Sequence, residues 1–139
     1  MEIKSQICTT REQSERLIAL GLKKETADMA ITKHGKDGNG ESVLYVAYIP
    51  LQHDIPAWSL HRLIMMIPNI VPFGLHQGYF CLHQHKVFYS DYKTVFEFFD
   101  VYTNVYDNII QCIEWLIEKK YFNKEYLEGK ENENNFSKS

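Results

Sequence analysis

The chain has 139 residues, of which 45% are hydrophobic and 14% aromatic, and its formal net charge is −3. A chain of this length can bury a hydrophobic core without disulfides or a structural metal, so one domain is expected. The slight acidic excess, with no block of basic residues, argues against a nucleic-acid binder, which needs a basic surface to meet phosphates.

The N-terminal stretch MEIKSQICTTREQSER carries no apolar segment of the kind that directs secretion. The three cysteines, Cys8, Cys81 and Cys112, are an odd number at wide spacing, which fits free thiols in a reducing compartment. No apolar run reaches the length of a membrane span. We therefore expect a cytoplasmic protein that makes no membrane contact.

The first predicted element is a short helix in TTREQSERLIALGL. Thr9 or Thr10 would be its N-cap. Glu12 or Gln13 follows three positions on, as a capping box requires. Gly21 ends this helix, and KKETADMAIT is expected to add a second helical turn or two. The glycines of KHGKDGNGE then predict a loop, and the β-branched and aromatic run SVLYVAYI predicts a strand.

The segment LQHDIPAWSLHRLIMMIPNIVP predicts a middle helix, for which Ser59 is a suitable N-cap. Its apolar stripe follows the spacing i, i+3, i+4, i+7 and consists of Leu60, Leu63, Ile64 and Ile67. Pro68 ends the helix, and with Pro72 it leads the chain through an extended connection.

A long helix is predicted near the C-terminus, over NVYDNIIQCIEWLIEKKY from Asn104 to Tyr121. Its apolar face is broad enough to cover a sheet, and Thr103 or Asp100 would cap its start. The polar stretch at the end of the chain predicts a disordered tail over residues 128–139, after one globular domain over residues 1–127.

Between the helices, the segment CLHQHK contains candidate metal ligands. On one continuous strand, Cys81, His83 and His85 would share a face, because side chains alternate with period two. Two histidines spaced in this way can hold zinc, and His76, His53 or Asp91 are the candidates for a further ligand. A metal-binding protein is therefore an alternative interpretation, although we expect no cofactor.

We favour a hairpin in this segment, with Gln84 and His85 as its two-residue loop. Leu82 would then pair with Val87, and His83 would point away from the core. A second two-residue loop at Tyr92 and Lys93 would complete a three-strand meander from Gly78 to about Asp100. Its register is set by these predicted pairs: Phe80 with Tyr89, Tyr89 with Phe96, and Val87 with Phe98. The outer face would carry Phe88, Val95 and Phe99.

Together these elements predict an α+β fold, in which the meander and one earlier strand, SVLYVAYI, form an antiparallel sheet. The long C-terminal helix and the shorter helices would cover it. No set of residues converges on a reaction, so we expect a non-enzymatic interaction protein. A protein partner or a second copy would cover Phe88, Val95 and Phe99, unless the N-terminal helices do so. A nucleic-acid-associated accessory protein is a further alternative, which the charge balance disfavours.

Three segments together resemble a known group of proteins: LIALGLKKETADMA, IPAWSLHRLIMMIP and DNIIQCIEWLIEKKYFNKEYL. The chain resembles small uncharacterised proteins carried by prophages and other mobile elements of gut bacteria of the Bacteroides group. The likeness runs from about Leu17 to Leu127, and its most specific part is the Pro-Ala-Trp-Ser-Leu step. The resemblance implies a cytoplasmic accessory protein of a mobile element, and it assigns no catalytic or binding residue.

Overall fold

The computed structural model describes residues 5–34, 40–45 and 54–129. Contacts within the chain group into two compact units. Unit 1 comprises residues 1–64 and 124–139, and unit 2 comprises residues 65–123. The α+β class is confirmed, since each unit contains its own antiparallel sheet and the longest described helix comes last. Two compact units need not fold separately, and the single domain predicted for residues 1–127 stays a prediction.

Unit 1 combines two helices with a three-stranded sheet. Its elements are α1 (Arg11–Ala19), β1 (Met29–His34), β2 (Gly40–Tyr45), β3 (Ile55–Ala57) and α2 (Leu60–Met66), which ends two residues into unit 2. Strand β1 lies between β2 and β3 and is antiparallel to both. The prediction that SVLYVAYI joins the meander was wrong, because Ser42–Tyr45 belong to β2 and pair with β1 instead. The rest of that run lies outside the described residues.

Helix α1 begins with a complete capping box. The Thr10 hydroxyl accepts from the Gln13 backbone N–H at 3.2 Å, and the Gln13 side chain accepts from the Thr10 N–H at 3.0 Å. Gly21, at φ 105°, ends the helical segment as predicted. The second helical segment is only a 3₁₀ turn, Lys24–Thr26, because β1 begins at Met29 and its backbone pairs on both sides.

Trp58 is the largest side chain that unit 1 buries completely, with 0% of its surface exposed. Its indole N–H donates to the Thr26 hydroxyl at 3.0 Å, so the ring's one polar atom has a partner. The Thr9 hydroxyl accepts from the Trp58 backbone N–H at 3.0 Å, and the Trp58 carbonyl accepts from the Thr9 N–H at 2.9 Å. These bonds connect α1, the 3₁₀ turn and β3 around one ring.

Ser59 continues this network into α2. Its hydroxyl accepts from the Arg62 N–H at 3.1 Å, which confirms Ser59 as the N-cap. The Asp28 carboxylate accepts from the Ser59 N–H at 2.8 Å and from the Ser59 hydroxyl at 2.6 Å. The Arg62 side chain donates in turn to the Thr26 carbonyl at 2.7 Å. These hydrogen bonds hold the start of α2 against the segment that connects the 3₁₀ turn to β1.

Replacing Asp28 by alanine removes both acceptors of Ser59, and we expect it to lower the free energy of unfolding by about 1–3 kcal/mol. Chemical denaturation followed by far-UV circular dichroism would measure this change. Glu15→Ala, at an exposed position of α1, is the control and should change stability by less than about 0.5 kcal/mol. Equal effects of the two substitutions would contradict the role assigned to Asp28.

Unit 2 contains a four-stranded antiparallel meander and one helix. Its elements are β4 (Ile70–Phe73), β5 (His76–Leu82), β6 (Val87–Ser90), β7 (Val95–Phe99) and α3 (Val105–Glu118), and the strands pair in chain order. The fourth strand of the meander is therefore β4. Pro72 is tolerated there because β4 is an edge strand. A two-residue loop of Gly74 and Leu75 joins β4 to β5, with Gly74 at φ 64°.

Helix α3 packs on β6 and β7. Its N-cap is Asn104, whose side-chain oxygen accepts from the Tyr106 N–H at 2.8 Å and the Asp107 N–H at 3.3 Å. The predicted caps Thr103 and Asp100 were wrong, because Asn104 is the residue that directly precedes the first helical turn. The buried face of α3 supplies much of the core of unit 2: Ile109, Ile110, Cys112, Ile113 and Leu116.

Asn108 is a fully buried polar residue that connects α3 to two loops. Its amide nitrogen donates to the His85 carbonyl and, at 2.7 Å, to the Tyr102 carbonyl. Its amide oxygen accepts from the Tyr102 N–H at 3.0 Å. A buried amide that satisfies three backbone groups holds the β5–β6 hairpin in place without needing turn residues of special conformation.

Replacing Asn108 by alanine would leave three partly buried backbone groups without their side-chain partner, so we expect a loss of about 1–3 kcal/mol in the free energy of unfolding. Hydrogen exchange should also become faster in the β5–β6 hairpin. The exposed substitution Glu118→Ala on the same helix is the control. Unchanged exchange at His85 and Lys86 in Asn108→Ala would contradict the bracing role.

Candidate functional site

The segment CLHQHK forms the predicted hairpin. Leu82 pairs with Val87, Cys81 with Phe88, and the His83 N–H donates to the Lys86 carbonyl at 2.8 Å. This first loop register is confirmed. The loop does not depend on a left-handed residue, since neither Gln84 nor His85 has a positive φ.

The candidate metal ligands are kept apart by this hairpin. The His83 ring meets the Phe88 ring edge-on, with centroids 4.9 Å apart, and His85 lies in the loop. His76 starts β5, seven residues and about 23 Å along the strand from His83. The Cys81 thiol points to the Tyr79 carbonyl at 3.5 Å. Within residues 5–34, 40–45 and 54–129, no group of three or more His, Cys, Asp or Glu side chains is placed to hold a metal.

The second loop is an Asx turn, in which the Asp91 side chain accepts from the backbone N–H groups of Lys93 at 2.8 Å and Thr94 at 2.6 Å. These two hydrogen bonds hold the pKa of the Asp91 carboxyl below its usual value. Ser90 pairs with Val95, which is the predicted register at this point. The loop itself thus follows the prediction.

A β-bulge changes the register beyond this loop. It lies between Tyr89 and Ser90 on β6 and leaves Phe96 of β7 as the extra residue. Tyr89 therefore pairs with Glu97 rather than with Phe96, and Phe98 and Phe99 change places relative to the prediction. Past the bulge the pairs are Tyr89 with Glu97, Phe88 with Phe98 and Val87 with Phe99.

The bulge changes which β7 side chains lie on the outer face, so the predicted interaction surface was partly wrong. Phe99 faces α3 and is 5% exposed, and its ring centroid lies 5.8 Å from that of Trp115. The prediction that Phe99 lies on the outer face was therefore wrong. Phe88 is on the outer face but is only 8% exposed, beneath the His83 ring and with the Lys86 ammonium 5.2 Å from its centroid. Val95 is 51% exposed there.

We define the outer face as the side of the meander that is turned away from α3. Its large exposed apolar residues are Ile70 at 46%, Tyr79 at 44%, Val95 at 51% and Phe98 at 56% exposure. Ile70, Tyr79 and Val95 lie in one row across the sheet with Ser90, and Phe98 pairs with Phe88 in the next row. None of the strand residues on this face carries a permanent charge, and Lys86 lies just before β6. The outer face is therefore an apolar and nearly uncharged surface.

Sequence reasoning did not name Ile70, Tyr79 or Phe98 as part of this surface. Ile70 and Phe98 were missed for different reasons, whereas Tyr79 could have been found. Ile70 was read as part of an extended connection, although a Gly-Leu step before a strand is a known hairpin signal. Phe98 was placed on the wrong face because nothing in VFEFF shows where a bulge falls. Tyr79 follows from the confirmed register, which places it beside Cys81 on the outer face.

Comparisons of this chain with protein-family models, with curated proteins and with solved structures find no match. In the described ranges, no helix has the length and apolar character that crossing a membrane requires. The candidate surface is therefore argued from its own residues.

We expect the three cysteines to differ sharply in reactivity. Burial raises the pKa of the Cys8 thiol, with a smaller contribution from the Asp28 charge, and burial followed by the Glu97 charge raises the pKa of Cys112. A thiol reacts as its thiolate, so both should be inert in the folded protein at neutral pH. Cys81 is half-buried and should react alone.

A colorimetric thiol titration of the folded monomer, at a concentration too low for self-association, should count one reactive thiol per chain, against three in denaturant. Cys81→Ser should remove the native signal. Rapid reaction of Cys8 or Cys112 in the folded protein would contradict their placement in the two cores.

Proposed function

We propose that the protein is a non-enzymatic interaction protein that associates with a second copy of itself through the outer face. The observation that carries this proposal is the group of four half-exposed apolar side chains on one uncharged sheet face. Exposed apolar groups scattered singly over a surface need no explanation, but a contiguous group on one face marks a site of association.

The size of the outer face supports a contact between proteins. Four half-exposed side chains of this size expose on the order of 100 Å² each. Their sum of roughly 400 Å² is in the range of the largest apolar patch on a typical monomer, which is often functional. Polar residues such as Gln77 and His83 lie at the margin of this patch, as the polar rim of an interface does.

Charge favours a second copy as the occupant. The chain carries a net charge of −3, so two copies repel unless they meet through surfaces that carry little charge. The outer face meets this condition, and an acidic or basic partner would find almost no complementary charge on it. A flat sheet face also packs well on an identical face, at about 10 Å.

A role as an accessory protein of a mobile element is part of this proposal, and the resemblance of three segments of the chain is its only support. The metal-binding alternative gains nothing from the structure, because His83 and His85 meet no third ligand among the described residues. The near-absence of charge on the outer face likewise gives no support to nucleic-acid binding.

The proposal predicts that Phe98→Glu prevents association, because two copies would bury a carboxylate within the contact. Light scattering on size-separated protein at micromolar concentration should give a dimer mass for the wild type and a monomer mass for Phe98→Glu. Tyr92→Glu is the matched control, since Tyr92 is 95% exposed in the β6–β7 loop and the substitution adds the same charge.

Thermal unfolding should show that both variants remain folded. A monomeric wild type across the micromolar range would overturn the proposal of a second copy. A dimer that survives Phe98→Glu would show that association uses another surface.

A further inference from the structure

The side of the meander opposite the outer face contains a cavity of about 380 Å³ within unit 2. Four of the eight residues that line it are aromatic, namely Phe73, Phe96, Trp115 and Tyr121, and the others are Pro72, Gly74, Glu97 and Lys119. This volume lies in the range of small-molecule sites, which are typically apolar with a few polar groups. Neither α3 nor the strands fill it.

The ring of Phe73 is the centre of the aromatic wall. It stacks on Phe96, with centroids 4.8 Å apart and planes at 14°, and on Trp115 at 5.9 Å and 12°. Gly78 makes this position available, because a Cβ there would lie 2.6 Å from the Phe73 ring. The position of the Phe73 ring therefore depends on a glycine in the neighbouring strand β5.

Tyr121 closes the cavity at the end of α3. The Tyr121 N–H donates to the Leu116 carbonyl at 2.8 Å and the Lys120 N–H to the Ile117 carbonyl at 3.0 Å, which is a Schellman motif. Lys120 occupies the position usually taken by glycine, at φ 64°. This turn brings the Tyr121 ring to 6.1 Å from that of Trp115, tilted by 57°. A left-handed lysine is unfavourable, so the placement of Tyr121 costs conformational energy.

Glu97 is the group that points to a ligand. The bulge turns it to the same side of the sheet as Phe96, where it is half-buried beside aromatic rings. Among the residues that the structure describes, none forms a hydrogen bond or an ion pair with its carboxylate. Its oxygens are not among the buried side-chain atoms that lack a partner, so water solvates them and a ligand donor has only water to displace.

The electrostatics of the cavity favour a cation as that donor. Glu97 contributes a negative charge, and α3 ends at the cavity, where the helix dipole also favours positive charge. Lys119 lines the same cavity but is exposed, and it is not paired with Glu97. Its long side chain can turn to solvent when a ligand cation enters.

We propose that this cavity binds a small organic cation, namely a protonated amine carried on a flat apolar body. The ammonium group donates to the Glu97 carboxylate, and the apolar body contacts the rings of Phe73, Trp115 and Tyr121. The same carboxylate disfavours an anionic ligand, which would have to pair with Lys119 at the exposed side of the cavity. The site lies on the opposite side of the sheet from the proposed dimer contact, so the two proposals stand separately.

Three probes with one shared body test the charge requirement: phenethylammonium, phenethyl alcohol and phenylacetate. Isothermal titration calorimetry at constant ionic strength should show binding of one phenethylammonium per chain. The neutral and anionic probes should bind at least about tenfold more weakly, because they cannot donate a charge-assisted hydrogen bond to Glu97. Equal binding of all three probes, or no binding of the amine, would overturn the proposal.

Two variants with the same change in net charge test whether Glu97 binds the ammonium group. Glu97→Gln should weaken amine binding at least about tenfold and remove the preference over the alcohol. Glu118→Gln, exposed on α3, should bind the amine as the wild type does. Thermal unfolding should show both variants folded, and Phe98→Glu should retain the amine site. Undiminished binding by Glu97→Gln would overturn the assignment of Glu97.

Discussion

The β-bulge between β6 and β7 is the constraint on which both surfaces of unit 2 depend. A regular pairing from the Asx turn onward would place Phe96 and Phe98 on the inner side and Glu97 and Phe99 on the outer side. The extra residue puts Phe96 and Glu97 together on the inner side and moves Phe98 out. One inserted residue thus gives the inner cavity its carboxylate and the outer face its most exposed aromatic ring. It also leaves the outer face without a charged strand residue.

Both units use a buried polar side chain to join elements that are distant in the chain. In unit 1 the Thr9 and Thr26 hydroxyls satisfy the backbone and the indole of Trp58, while Asp28 holds the start of α2. In unit 2 Asn108 satisfies backbone groups of the β5–β6 loop and of the loop that precedes α3. Buried groups of this kind add stability only when each atom finds a partner, and for this reason they specify one arrangement. The apolar stripes alone would allow several.

Local signals in the sequence predicted local structure well. The capping box at Thr10, the stop at Gly21, the cap at Ser59 and the first hairpin all follow from short-range chemistry, and the structure contains each of them. Features that depend on distant parts of the chain were not predictable in this way. The pairing of Ser42–Tyr45 with β1 is decided by which strands meet in the folded chain, and composition does not record that choice. The position of the bulge could not be predicted from the sequence either, because a phenylalanine such as Phe96 is favourable on either face of the sheet.

The placement of Glu97 shows how the two faces of one sheet acquire different chemistry. Strand β7 is rich in phenylalanine, and its single charge would weaken association if it lay outward with Val95 and Phe98. Turned inward, the same carboxylate lies among rings whose edges and faces can accommodate an organic body but cannot satisfy a negative charge. The inner side of the sheet thus combines aromatic rings with one carboxylate that accepts no hydrogen bond from the described residues. The uncharged outer face is the other consequence of the same turn, so a single backbone irregularity separates the surface suited to a protein from the cavity suited to an amine.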